Sequence, residues 1–264
     1  MSENGEPVLT TERRDHVLLM GLNRPAKRNA FNVELLEALG RAYERLERED
    51  DLRVGVLHAH GDHFTGGLDL AEVAPRLVEG NLEYPDDARD PWRYDGKPWT
   101  KPVIVAVHGW VMTLAIELLL AADIRIASSD ARFAQLEVQR GIYPFGGATI
   151  RLPREAGWGN AMRWLLTGEE FDAAEAHRLG LVQEVTKPGQ QLDRALELAD
   201  AIATRSAPLG VREILASAQR AIADSEAAAA TSLRDNMVAL LRTEDGAEGM
   251  RSFIERRPAV FAGR

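Results

Sequence analysis

Lys101-Pro-Val-Ile-Val-Ala-Val-His-Gly109 runs directly into Trp110-Val-Met-Thr-Leu-Ala-Ile-Glu-Leu-Leu-Leu-Ala-Ala122, and these residues decide the fold. Val103 to Val107 is a β-branched run without polar alternation, begun rather than interrupted by Pro102, which predicts a buried strand. His108-Gly109 closes it. From Trp110 to Ala122 the chain is almost wholly apolar and too short to cross a bilayer, which predicts a core helix whose one charge is Glu117. Burying that carboxylate ionised is costly. It is either paired on a helix face, raised in pKa by desolvation, or open to a cavity, and the last two suit a general acid or base near neutral pH.

Downstream, Asp123-Ile-Arg-Ile-Ala127 reads as a second strand, Phe133-Ala-Gln-Leu-Glu137 brings a second carboxylate into apolar surroundings, and Pro144-Phe-Gly-Gly147 opens a helical stretch from Ala148. Glu117 and Glu137 are too far apart to share one helix, so they meet only if the 110s helix packs against the 130s loop. Upstream, Val8 to Thr11 and Val17 to Leu22 pair as a hairpin around Arg13-Arg-Asp-His16, and Leu52 to Ala59 is a further strand. Asn32 is a plausible N-cap for an amphipathic helix to about Glu49, with Leu36, Leu39, Tyr43 and Leu46 on one face. Strand, glycine turn and helix recur in that order, as in repeated ββα units. From about Gly159 the pattern is helical, with a capping box at Asp172-Ala-Ala-Glu175 and helices over Ser225 to Arg242 and Thr243 to Arg257.

The segments Lys101–Gly109, Glu117-Leu118, Ala122-Asp-Ile-Arg125, Phe133–Glu137, Leu166-Thr-Gly168 and Ala176-His-Arg-Leu-Gly-Leu-Val182, taken together, resemble the crotonase superfamily. Within it the chain is most similar to the enoyl-CoA hydratases. Leu22-Asn-Arg-Pro-Ala-Lys-Arg-Asn-Ala-Phe31 and Phe64-Thr-Gly-Gly-Leu-Asp69 extend the likeness over nearly the whole chain, in the expected order. The resemblance implies an α/β fold, the ClpP/crotonase-like spiral of ββα units over residues 1–190, with a C-terminal helical trimerisation region over 191–264 in the same family unit. It implies that Glu117 activates water and Glu137 protonates the α-carbon, and that the backbone N–H groups of Gly66 and Leu114 form an oxyanion hole. Thr113-Leu114-Ala115 departs from the family's three glycines, adding bulk near the thioester and bearing on reaction type and acyl size.

Further positions follow from the same likeness. Arg24, Lys27 and Arg28 lie where relatives approach CoA phosphates, and Asp69, which closes the glycine motif, joins them as a candidate substrate or CoA contact. Trp92, Tyr94 and Trp99, in the irregular stretch between Gly80 and Pro102, either line an acyl pocket or pack the loop down. Retention of both glutamates favours hydration of a trans-2-enoyl-CoA to a 3-hydroxyacyl-CoA. The alternatives are a Δ3,Δ2-enoyl-CoA isomerase or another crotonase-type acyl-CoA lyase, and, from a different class, a non-catalytic acyl-CoA-binding protein. No cofactor is implied beyond the coenzyme A carried by the substrate, and the assembly implied is a homotrimer or a dimer of trimers.

At 264 residues and 45% apolar the chain can bury a large core. It opens with Met1 to Pro7, a loosely held start, and has neither a secretory leader pattern nor a membrane-length apolar run. Absence of cysteine excludes disulfides, thiolate catalysis and zinc–sulfur sites and fits a reducing cytoplasm. The net charge of −9, from 32 basic and 41 acidic residues, argues against nucleic acid as a partner. His58, His60 and His63 have the alternation of a metal cluster, but no carboxylate completes a set and His63 lies past the turn at Gly61-Asp62, so no metal is expected. There is no GxGxxG, GxxxxGK[ST] or GxSxG pattern for nucleotide binding or serine hydrolysis.

Overall fold

The computed structural model describes residues 5–94, 98–230 and 233–260. Its elements in chain order begin β1 (Leu9–Arg14), β2 (Val17–Leu22), α1 (Val33–Arg48), β3 (Val54–Ala59), α2 (Leu70–Glu79) and β4 (Val103–Val107). They continue β5 (Trp110–Met112), α3 (Leu114–Ala121), β6 (Ile124–Ser128), β7 (Arg132–Ala134), α4 (Ala148–Ala156), α5 (Trp158–Thr167) and β8 (Phe171–Asp172). The chain ends with α6 (Ala173–Arg178), β9 (Glu184–Thr186), α7 (Gln191–Arg205), α8 (Pro208–Ala230), α9 (Leu233–Leu241) and α10 (Glu244–Glu255).

A six-stranded sheet has the order β1-β2-β3-β4-β6-β9, and a three-stranded sheet the order β5-β7-β8. In the larger sheet only β1 and β2 are antiparallel; the remaining pairs are parallel. β4 and β6 each hand the chain to a partner, β5 and β7, that pair in parallel in the smaller sheet before a helix follows. The two preceding turns do the same with single bridges: Phe31 pairs with Leu68 between β2 and α1, and Thr65 with Val111 between β3 and α2. This is the expected spiral of ββα turns. Every residue of β2, β3 and β4 is buried, as the unbroken apolar runs require of strands covered on both faces.

Local signals place several boundaries. The Asn32 side chain accepts from the Leu35 amide at 3.1 Å and starts α1, whose buried face carries Leu36, Leu39, Tyr43 and Leu46. Asp172 caps α6 by accepting from Glu175 N–H at 2.9 Å, while Glu175 pairs with Arg178 rather than returning the bond. The hairpin turn is tighter than expected, since β1 runs on through Arg13 and Arg14 and only Asp15 and His16 lie between the strands. The segment expected as one helix over Ser225 to Arg242 is covered by α8 and α9; residues 231–232 between them lie outside the described residues, as do residues 1–4 of the expected loose start.

One element is corrected. Trp110 to Met112 is a strand, not the first turn of a helix, and the helix occupies only Leu114–Ala121. Trp110, Val111 and Met112 each pair with β7, and Thr113 then turns with φ 54° and ψ −116°, outside any helical region. All eight residues of α3 are buried. No helix among the described residues is long and apolar enough to cross a membrane.

Candidate active site

The pairing of β5 with β7 brings the two glutamates together. Met112 lies beside Ala134, so the chain leaving β5 into α3 and the chain leaving β7 into the 3-10 turn Leu136–Arg140 set out side by side. Glu117 is carried by the first and Glu137 by the second. Both are buried, at 1% and 6% of full exposure.

Glu117 is received by the start of α4. Its Oε1 accepts from Gly146 N–H at 2.8 Å and from Ala148 N–H at 3.1 Å, where the unpaired amides of a helix's first turn favour a carboxylate. Gly146 has to be glycine, because a Cβ there would stand 2.5 Å from Glu117 Oε2 and 3.1 Å from Trp92 Cδ1. Burial pushes Glu117 up to about 7, opposed by the Ala148 and Gly146 amides and the Arg151 charge. Burial raises Glu137 well above the usual carboxylate range, and repulsion from Glu117 adds to it. Glu137 Oε2 has no hydrogen-bond partner within the described residues, nor has either polar atom of the buried Gln135 side chain. Two carboxyls raised by burial, with repulsion between them, resist carrying two negative charges together.

A cavity of about 340 Å³ opens at Glu117, walled by Leu68, Leu77, Tyr84, Trp92, Leu114 and Phe145 among others. Trp92 is a fixed wall. Its Nε1 donates to the Leu114 carbonyl at 3.1 Å and its ring meets Phe31 edge-on with centroids 5.8 Å apart.

Gly66 does not occupy the role its motif implies. Its amide donates to the Arg28 carbonyl at 2.8 Å, and Gly66 is not among the cavity's lining residues. The neighbouring Leu68 is. In the Phe31 bridge the Gly67 carbonyl and the Asp69 amide face Phe31, which turns the Leu68 N–H the opposite way. Leu114, as the first residue of α3, has an amide with no intrahelical acceptor. Leu68 and Leu114 thus both line the cavity, the one with its N–H turned away from Phe31 and the other with its N–H at the open start of α3. The motif carried the signal, but which amide of Gly66-Gly67-Leu68 faces inward depends on the Phe31 bridge, a long-range pairing.

Three further expectations are corrected. Trp99 belongs to the core: its ring packs edge-on against Tyr43 at 4.8 Å and under the Arg93 guanidinium at 3.9 Å, away from the cavity lining. Arg24 turns inward, bonding the Ala30 carbonyl and lying 3.6 Å from Asp69, so these two residues engage each other instead of presenting themselves to a ligand. Lys27 ends a 3-10 turn, and Arg28 lies over the Trp110 ring at 4.6 Å. Of the histidines, His58 and His60 meet edge-on at 5.0 Å, whereas His63 stacks on Trp110 at 4.8 Å; the described residues hold no group of three metal-ligating side chains.

Comparison with known proteins agrees with this architecture. The profile of the family described as Enoyl-CoA hydratase/isomerase matches residues 12–264. Enoyl-CoA hydratase EchA19 of Mycobacterium tuberculosis is 36% identical over 99% of this chain and 98% of its own length. The 2,3-dehydroadipyl-CoA hydratase of Escherichia coli is 34% identical over 97% and 99%. Among solved structures, a probable enoyl-CoA hydratase/isomerase from Mycobacterium abscessus superposes with a TM-score of 0.80 at 52% identity, covering 97% of this chain and 99% of its own. A carnitinyl-CoA hydratase from Mycobacterium avium gives 0.86 at 32% identity, covering 98% and 100%. The spiral of ββα turns is thus shared with proteins named for acyl-CoA chemistry. The chain belongs to the enoyl-CoA hydratase/isomerase family.

Proposed function

We propose that the protein is an enoyl-CoA hydratase that adds water across the 2,3 double bond of a trans-2-enoyl-CoA, giving a 3-hydroxyacyl-CoA. The observation that carries this reading is the pair of buried carboxyls that the β5–β7 pairing brings together, both raised by burial. Glu117 as carboxylate takes a proton from water while the oxygen bonds to C3. The electron pair of the double bond moves toward the thioester, and the amides of Leu68 and Leu114 stabilise the negative charge on its oxygen. Glu137 delivers its proton to C2, so a water O–H bond, the Glu137 O–H bond and the C2–C3 π bond break while Glu117 O–H, C3–O and C2–H bonds form. Afterwards Glu117 holds the proton and Glu137 lacks it, and exchange through water restores the pair. The isomerase reading is disfavoured, because moving one proton needs only one of the two carboxyls and no bound water.

Coenzyme A arrives with the substrate and no other cofactor enters the scheme. Lys27 and Arg28 are the proposed phosphate contacts, replacing the inward-facing Arg24. The acyl group enters the cavity beside Trp92. Relatives bear the names of crotonyl-CoA, 2,3-dehydroadipyl-CoA and carnitinyl-CoA, so the acyl part varies across the family. Self-association through the helical region is part of the same reading, supported by the exposed Leu209 and Ile214 of α8, with Trp158 and Leu166 of α5 exposed as well.

The test follows loss of the conjugated enoyl-thioester absorbance with crotonyl-CoA and with longer or cyclic 2-enoyl-CoAs, using Glu137→Gln as control. Rapid loss in wild type alone supports hydration. Measurable thioester binding without turnover favours the non-catalytic alternative, which the bulk of Leu114 beside the thioester keeps open. Turnover of 3-enoyl-CoA to the conjugated isomer in its place favours the isomerase.

A further inference from the structure

Arg151 stands behind Glu117, in α4 just beyond the amides that receive the carboxylate. It is buried, its Nη1 donates to the Trp92 carbonyl at 2.8 Å, and its guanidinium lies over the Tyr94 ring at 4.5 Å. Asp90 ties the same piece of chain from the other side, accepting from Trp92 N–H at 2.9 Å and from Tyr94 N–H at 2.6 Å. The Trp92 indole reaches the Leu114 carbonyl, and a Cβ on Gly147 would overlap the Tyr94 hydroxyl. The loop is therefore seated on α3 and α4 at once.

The charged and titratable groups around this assembly come from several elements: Glu37, Arg76, Glu83, Arg234 and Asp235 line the same cavity, and Tyr43 acts on Arg93. Asp90, Arg93 and Tyr94 come from the loop, Glu117 from α3 and Glu137 from the turn after β7, with Asp123 engaging Arg93 at 3.5 Å. Arg151 acts on Glu117 as a cation whose field opposes the effect of burial. A planar fork that stacks on one ring and bonds a carbonyl is a task for which arginine is suited and lysine is not.

We propose that Arg151 is a positioning residue for the hydration: it locks the Asp90–Tyr94 wall onto α4 through the Trp92 carbonyl and the Tyr94 ring, and its charge, held behind Glu117, favours the carboxylate the base requires. The inference rests on the reading of Glu117 as the base. Its two halves separate by substitution, because Arg151→Lys keeps the charge and loses the fork, whereas Arg151→Met loses both.

The experiment is a carbon-13 titration of the glutamate side-chain carboxyls in ligand-free protein, with Glu117 assigned by its loss in Glu117→Gln, together with the pH profile of kcat/KM on crotonyl-CoA. In Arg151→Met, Glu117 titrates higher by at least about half a pH unit, the rising limb of kcat/KM moves the same way, and KM increases as the wall loosens. In Arg151→Lys the titration stays near wild type while KM still increases. A folded Arg151→Met with an unshifted Glu117 overturns the proposal. Should that variant fail to fold, Arg151→Lys and Asp90→Asn decide it, and an unchanged KM in both overturns it. Wild-type protein that does not hydrate, with Glu117 still shifted in Arg151→Met, overturns the hydratase reading while supporting the electrostatic role.

Discussion

Glu117 and Glu137 share a desolvated space in which two full negative charges are costly, so their protonation is divided between them. Catalysis needs the division to be unequal. Glu117→Gln and Glu137→Gln are each expected to lower kcat on crotonyl-CoA by about 10²–10⁴-fold, with circular dichroism unchanged. The pH profile follows from the same pair: kcat/KM has a rising limb set by Glu117 losing its proton at about 7 and a falling limb set by Glu137, which burial and Glu117 hold well above the usual carboxylate range. Stability runs the other way. Both carboxyls titrate above their ordinary value of 4.5, so the folded chain keeps protons that the unfolded chain has released. Their contribution to stability is complete below that ordinary value and is lost as pH rises through the folded values. Thermal melts across this range should therefore show Glu137→Gln gaining on wild type as pH rises; a constant difference would mean that burial does not hold the proton. Gly146→Ala, which drives a Cβ against Glu117 Oε2, should depress kcat without unfolding the protein.

Among the elements, α3 is the one whose start was not legible in its own residues. Trp110-Val-Met-Thr-Leu-Ala-Ile-Glu is apolar throughout, and periodicity cannot divide strand from helix in such a run. Pairing with β7 makes that division, at Thr113, whose φ of 54° is a conformation glycine adopts more easily. Holding a threonine there costs about 1–3 kcal/mol, so Thr113→Gly should stabilise the protein by about 1 kcal/mol in urea after the flexibility of glycine is deducted. A loss instead would show that the Thr113 side chain over Gly67 matters more than the strain. Helix starts capped by Asn32 and Asp172 were legible, because a cap is a contact between near neighbours. Trp99 and Gly66 were not: the first is claimed by Tyr43 and Arg93, and the second by a carbonyl from the preceding turn of the spiral. At the other end of α1, Lys101 Nζ, well buried, donates to the Leu46 and Glu49 carbonyls at 2.8 and 2.7 Å. Lys101→Met strands those helix-end carbonyls and should cost about 2–4 kcal/mol by the same measurement.

For the whole molecule, the spiral was readable because strand, turn and helix recur in a fixed order, whereas its closure depends on pairings between successive turns that no single motif records. The surface it leaves is uneven. Trp158 and Leu209 retain 73% and 76% of their exposure, a large apolar area for a chain that works alone. Sedimentation should give a multiple of the chain mass, and Leu209→Glu with Ile214→Glu should shift it toward a single chain; a wild-type monomer would remove self-association from the proposal. The indole that walls the cavity at Glu117 has a different consequence. Of five tryptophans, Trp92 lies against α3 with its N–H engaged and lines the cavity beside Glu117. Displacing water from that face changes the polarity its excited state senses, so the molecule contains an unlabelled optical gauge of occupancy. Its emission can follow ligand arrival in variants whose turnover has been abolished.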